Sequence, residues 1–256
     1  MPEPGNIMGI FDLPAPLLSW LDGALGAVAP PTLRLVLWGL IGGVVSMALY
    51  WLLSPQRAIA GAKAEALGAR RALDGYDGDF AEAWPLIRNM LRLALRQLRL
   101  VLWPALLASA PAICLLAWAS STYGYSFPGT LAEVGVRTSP GQLQAELVQP
   151  PPVSPLPRPD SPAPHIVVAD QAGHVISTIP WAAPIATIHK RQWWNVLIGN
   201  PAGYLPDDAG VERIELDLAP NEYLPFGPSW LRPWYSVFFA ALLAGSLALK
   251  LVARIE

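Results

Sequence analysis

The chain has 256 residues, 53% of them hydrophobic and only 14% charged, with a formal net charge of −2. So little charge excludes an ordinary soluble domain, and a balance near zero excludes nucleic acid as a partner. The solitary cysteine, Cys114, excludes a disulfide within the chain and falls in an apolar run, where it packs as a small apolar residue.

The apolar residues are clustered. Leu33–Leu53 contains no acid and only Arg34 as a base, while Leu100–Ser120 and Trp234–Leu249 contain no charge. Each run, the third with its flanks, reaches the roughly 20 residues that cross a bilayer. None carries the polar face of a soluble core helix. These features predict an α-helical membrane protein with three transmembrane helices, a cytoplasmic helical hairpin and an extracytoplasmic antiparallel β domain.

In chain order, residues 1–31 are expected to form an outer-leaflet segment. Within it Leu17, Leu18, Leu21 and Leu25 follow helical spacing over Ala15–Val28, with Asp22 on the polar side. The first span is read as residues 32–53. It is expected to be retained, because the preceding stretch is acidic and no small-residue cleavage site follows. Gly39 and Gly43 within it make a small-xxx-small pattern suited to close helix packing.

Residues 54–99 form the predicted hairpin: a break at Ser54-Pro55, an Ala-rich helix from about Gln56 to Leu73, and a turn at Asp74–Asp79. A second helix begins near Asp79 or Glu82 and runs from Pro85 into the second span, residues 100–120. The segment Ser54–Arg99 is rich in bases, with Arg57, Lys63, Arg70, Arg71, Arg88, Arg92, Arg96 and Arg99, and reads as the cytoplasmic side. Arg88, Arg92, Arg96 and Arg99 share one stripe of the second helix. Such a stripe ordinarily meets solvent or anionic headgroups, and its functional alternative is contact with a client chain or a partner subunit.

Residues 121–229 are expected to form the extracytoplasmic β-rich domain. Over Thr122–Arg232 six bases stand among ten acids, which places the domain opposite the hairpin. Strand character at Gln142–Val148 precedes a proline-rich linker, residues 149–164. Five short runs then read as an antiparallel sheet or sandwich: HIVVAD, GHVISTI, PIATIHK, WNVLIG and VERIELDL, with Asp170–Gly173 as a hairpin turn. In the last run Val211, Ile214, Leu216 and Leu218 alternate largely with charged residues, the pattern of a strand with one wet face. A stiff connector at Tyr223–Pro233 leads to the third span, 230–252, and a cytoplasmic tail, 253–256, leaving the N-terminus outside.

No metal-binding spacing, phosphate-loop glycine motif or nucleophile elbow is present, so no catalytic, cofactor-binding or metal residue is assigned. His165, His174 and His189 fall on separate predicted strands without carboxylate or cysteine partners at ligand spacing. Asp207-Asp208 before Gly210 reads as a loop. No ionisable residue lies near the middle of a span, which speaks against ion pumping or proton relay.

The stretch Tyr50-Trp51-Leu52-Leu53-Ser54-Pro55-Gln56 leads from a first span into a charged hairpin, and a returning span ends in aromatic residues and Phe127-Pro128. Over Ala15–Pro128 this order resembles the YidC/Oxa-type insertase superfamily, particularly its short three-span members. The resemblance implies a cytoplasm-open groove that helps hydrophobic segments insert, with Arg92, Arg96 and Arg99 greeting the client. Two departures stand beside it: the first span has no basic residue in its middle, and residues 121–229 precede the third span. The expectation is a non-enzymatic protein of the bacterial inner membrane, insertase-like or an accessory subunit. Its partners would be lipids and other membrane-protein subunits or hydrophobic client segments. The alternative is a structural anchor presenting a periplasmic β domain to an envelope or respiratory complex.

Overall fold

The computed structural model describes residues 8–253 apart from 130–133, 140, 142, 149–163, 171 and 182, and apart from the side chains of 81 and 82. The predicted linker 149–164 lies almost wholly outside the described residues, as does the tail from 254. Two compact units make up the fold. One combines the chain up to Arg34 with Cys114–Val237, the other Leu35–Ile113 with the chain from Phe238.

Three helices among the described residues are long and apolar enough to cross a membrane: Pro31–Leu53 (α2), Ala83–Tyr123 within α4, and Trp234–Ala253 (α5). Their length and composition support a membrane protein. In the unit built on Leu35–Ile113, α2 and α5 approach at glycines. A Cβ on Gly39 would lie 2.6 Å from the Phe238 carbonyl oxygen and 2.7 Å from the Ala241 Cβ, and one on Gly245 would lie 2.6 Å from the Leu40 carbonyl oxygen. Ser246 Oγ donates to the Gly43 carbonyl at 3.2 Å. The small residues of the first span therefore let two backbones touch, the geometry their spacing predicts.

The helix break at Ser54-Pro55 is present: α2 ends at Leu53 and α3 spans Gln56–Asp74. Proline cannot donate to the helix ladder, and the Gln56 side-chain amide bonds the Ser54 hydroxyl across the gap. After the turn at 75–79, α4 runs as one helix over Phe80–Tyr123, with Pro85 in its opening turns and Pro104 and Pro111 further along. An Arg96–Glu65 ion pair at 3.0 Å joins α4 to α3.

The other unit opens with a short 3-10 turn at Ile10–Asp12 and helix α1, Ala15–Gly26. Its β part contains two three-stranded antiparallel sheets. One has the order β1 (Val136–Ser139), β6 (Arg213–Leu216), β5 (Thr187–His189); the other has the order β2 (Gln144–Val148), β3 (His165–Ala169), β4 (Val175–Pro180). Both contribute to a single core that includes Ile166, Val168, Ile179, Trp181, Ile188 and Ile214. Alternation works as expected in β6, where Ile214 and Leu216 are buried and Arg213 and Glu215 are exposed. Val211 and Leu218 on its flanks are buried too. The Asp170–Gly173 turn joins β3 to β4, with Gly173 at φ +85° and its N–H donating to the Asp170 carbonyl at 3.1 Å.

Two expectations are corrected here. WNVLIG is not a strand: Trp193–Val196 forms a 3-10 turn. Asn195 decides this, because its buried side chain accepts from the Gln192 N–H at 2.8 Å and donates to the Ile198 carbonyl at 3.0 Å, closing the backbone on itself. Strand β1, which pairs in register with β6 from Val136↔Leu216 to Ser139↔Arg213, was not among the predicted runs. Its sequence VRTS holds a single apolar residue, Val136, so no apolar alternation marks it as a strand.

Candidate functional site

Arg88, Arg92, Arg96 and Arg99 all stand exposed on α4, as their spacing predicts. With Leu91, Leu95 and Leu100 they line an open trough of about 700 Å³. Helical periodicity builds it, since residues three and four apart stack on one face and a row of leucines runs beside a row of guanidinium groups. Arg92 Nη2 donates to Asn89 Oδ1 at 2.8 Å, and Arg96 is held by Glu65. No acid is among the lining residues. Guanidinium groups stay protonated and offer only donors. The trough therefore presents fixed positive charge beside apolar surface and no group able to take up a proton.

A second constellation was not anticipated. Asp22, assigned to the wet side of α1, is 5% exposed. Its carboxylate pairs with Arg34 and accepts from the Tyr123 hydroxyl. Arg34 Nη1 also donates to the Asp22 carbonyl at 3.2 Å, and its guanidinium carbon lies 5.8 Å from the Tyr123 ring centroid. Tyr123 is the hub: its ring meets Trp118 edge-on at 5.8 Å and Tyr223 at 6.0 Å, and its carbonyl accepts from Asn221 Nδ2 and from the Tyr223 hydroxyl. Burial pushes the Tyr223 phenol above its ordinary pKa. Trp118 Nε1 donates to Ser19 Oγ at 2.9 Å. The knot ties α1, the first turn of α2, the last turns of α4 and the chain leading to α5 within one unit.

The physical reason for the correction is the composition of α1. Leu17 and Trp20, at 59% and 69% exposed, face outward, and the one carboxylate faces inward to a partner. A charge in an apolar segment is expected to find an opposite charge. Arg34 at the head of the first span and Asp22 across the Pro30-Pro31 turn carried that signal in the sequence.

The histidines do not converge. His165 starts β3, opposite Pro180 and Val148. His174 is exposed, with Nδ1 3.2 Å from Asp170 Oδ2. His189 Nδ1 donates to the Lys190 carbonyl at 2.6 Å, and its ring lies 5.1 Å from Trp194 and 6.0 Å from Tyr204. Among the described residues no group of three or more His, Cys, Asp or Glu is placed to hold a metal ion. Asp207-Asp208 lies in a turn, as expected, where the Asp207 carbonyl accepts from Lys190 Nζ at 2.7 Å.

No family model, no curated protein and no solved structure matches this chain.

Proposed function

We propose that this chain is a non-enzymatic, multi-pass protein of a bacterial inner membrane, insertase-like or an accessory subunit, that assists the insertion or assembly of other membrane proteins. The observation that carries the reading is the trough on α4, where four exposed arginines run beside exposed leucines. An apolar client segment would lie along the leucines and its acidic or polar flank would meet the arginines. The base-rich stretch 54–99 supports a cytoplasmic hairpin, an outside N-terminus, a periplasmic two-sheet module and a cytoplasmic C-terminus. The YidC/Oxa-type scaffold is proposed on the same topological grounds. Lipids and membrane-protein subunits or client segments are its partners in this reading, and it needs no cofactor.

A structural anchor is the second reading, favoured by the self-contained core of the two-sheet module. A triple variant separates the two. Arg92→Gln, Arg96→Gln and Arg99→Gln together should keep the topology, because Arg57, Lys63, Arg70 and Arg71 still mark their side. Insertion of a single-span client with an acidic flank into vesicles carrying the variant should fall clearly below the parent. Loss of lipid attraction alone would appear only as weaker binding to anionic vesicles, by about 1 kcal/mol per charge. Unchanged client insertion by well-folded variant would leave the anchor in front.

A further inference from the structure

The turn at 192–198 carries more exposed apolar surface than a water-facing loop should. Trp193 is 80% exposed and Val196 55%, and Trp194, Leu197 and Ile198 are exposed as well. These side chains point outward because the backbone polarity is consumed internally by Asn195, which is 1% exposed. The turn is closed by its own hydrogen bonds and apolar on its outside.

It is also tied to a distant part of the chain. Phe11 N donates to the Leu197 carbonyl at 2.9 Å, and Gly199 N donates to Asp12 Oδ2 at 2.6 Å. At Gly9 a Cβ would lie 2.6 Å from Ile198 N, so the two segments meet backbone to backbone. Ile10, Leu13 and Trp20, all exposed, extend the apolar surface onto the N-terminal segment and α1. Both segments flank the exit turns of α4: Asp12, Ala117, Ser120, Trp194 and Ile198 line one cleft of about 160 Å³. The surface therefore lies level with the end of a helix apolar enough to span a membrane. Tryptophan, apolar in body and a donor at its edge, concentrates at that level. Just before the turn stands the exposed Arg191, a base of the kind lipid phosphates attract.

We infer that the 192–198 turn and the 10–21 segment form one lipid-docking surface, seated in the headgroup layer beside the exit of α4, so that the two-sheet module rests on the membrane at a built contact. The inference rests on the membrane-spanning reading. Lipid is the occupant because two segments far apart in sequence converge on one apolar face beside a span end whose own surroundings are lipid.

The test uses the full chain carrying Cys114→Ala, reconstituted in phosphatidylethanolamine–phosphatidylglycerol vesicles. Single nitroxide labels are placed through Val196→Cys, through Ala172→Cys in the exposed turn after β3, and through Leu243→Cys on the exposed side of α5. Relaxation by oxygen, which partitions into lipid, is compared with relaxation by a water-soluble nickel chelate. The label at 196 should show an oxygen-to-nickel ratio several-fold above that at 172 and approaching that at 243. A nickel-dominated label at 196 would overturn the docking while the label at 243 upholds the spans. A label at 196 shielded from both relaxants would mean that protein covers this face, and the lipid assignment would be wrong. A label at 243 behaving as in water would overturn the membrane reading and the docking with it.

Discussion

Helix α1 and strand β6 sit in the same unit and bury opposite kinds of chemistry. Strand β6 turns Ile214 and Leu216 inward and leaves Arg213 and Glu215 outside, while α1 buries Asp22 and leaves Leu17 and Trp20 outside. An apolar side chain moves inward where the outside is water, and in the membrane reading proposed above the two elements face different solvents. The strand is organised by the hydrophobic effect. The helix is organised by the need to neutralise a charge, and Leu17 and Trp20 are left on its outer side.

The largest way to break this contrast is to remove the buried carboxylate. Asp22→Leu leaves Arg34 in place without its counter-charge, and loss of one partner of a buried pair costs about 3–5 kcal/mol. Thermal unfolding of the detergent-solubilised chain, followed by circular dichroism, should show a large drop in midpoint. Adding Arg34→Met should restore part of the loss, because the replacement leaves no buried ion unpaired and only the Tyr123 hydroxyl without its acceptor. A double variant as unstable as the single one would mean that packing around Tyr123, rather than charge, holds the knot.

Strand β6 should answer to a different change. Ile214→Ala removes apolar volume at a fully buried position of the shared core and should destabilise the two-sheet module by about 2–5 kcal/mol. Near-ultraviolet circular dichroism should report it, because Trp181 lies in the same core. Arg213→Ala next door, on the exposed side, should move stability by about 0.5 kcal/mol at most. Equal effects at 213 and 214 would contradict the water-facing assignment of that sheet surface.

The smallest effect sharpens the contrast between the carboxylates. Asp170, partly exposed, accepts N–H bonds from His174 and Ala172 at 2.9 Å each, and the backbone bond from His174, foremost, holds its pKa below the usual value, with the His174 ring adding to it. A carboxyl depressed in the folded state contributes stability that is present above its unfolded pKa, about 3.9, and is lost as pH falls through the lower folded value. Asp170→Asn should therefore be slightly less stable than the parent near neutrality, and the two should converge in acid titrations below pH about 4. A difference that persists undiminished at low pH would mean the amide fails to replace the carboxylate for reasons of shape.

The contrast also explains what could be read without coordinates. The three long apolar helices were legible because composition alone sets them, and the break at Ser54-Pro55 because proline removes a backbone donor. The arginine stripe on α4 followed from helical periodicity, which a long uninterrupted helix preserves. The strands at His165–Ala169 and Arg213–Leu216 were legible through β-branched runs and alternation. WNVLIG misled because the same apolar residues suit a strand, and only the bonds of a buried Asn195 fold them into a turn. Asp22 misled because a lone acid in a short helix reads as a wet face until Arg34 and Tyr123 are seen beside it.

By itself the sequence determined the local and one-dimensional properties of this protein: three apolar helices, a base-rich hairpin stripe, and strands with one wet face. Each depends on spacing along the chain, and spacing is fully present in the residues. The tertiary structure alone decided which side chains complete one another across long separations. Asp22 with Tyr123, the turn at 192–198 with the segment around Ile10, and β1 with β6 are all such pairs. Such pairings arise because buried charge and buried backbone must find partners wherever the folded chain brings them, and no periodicity encodes that.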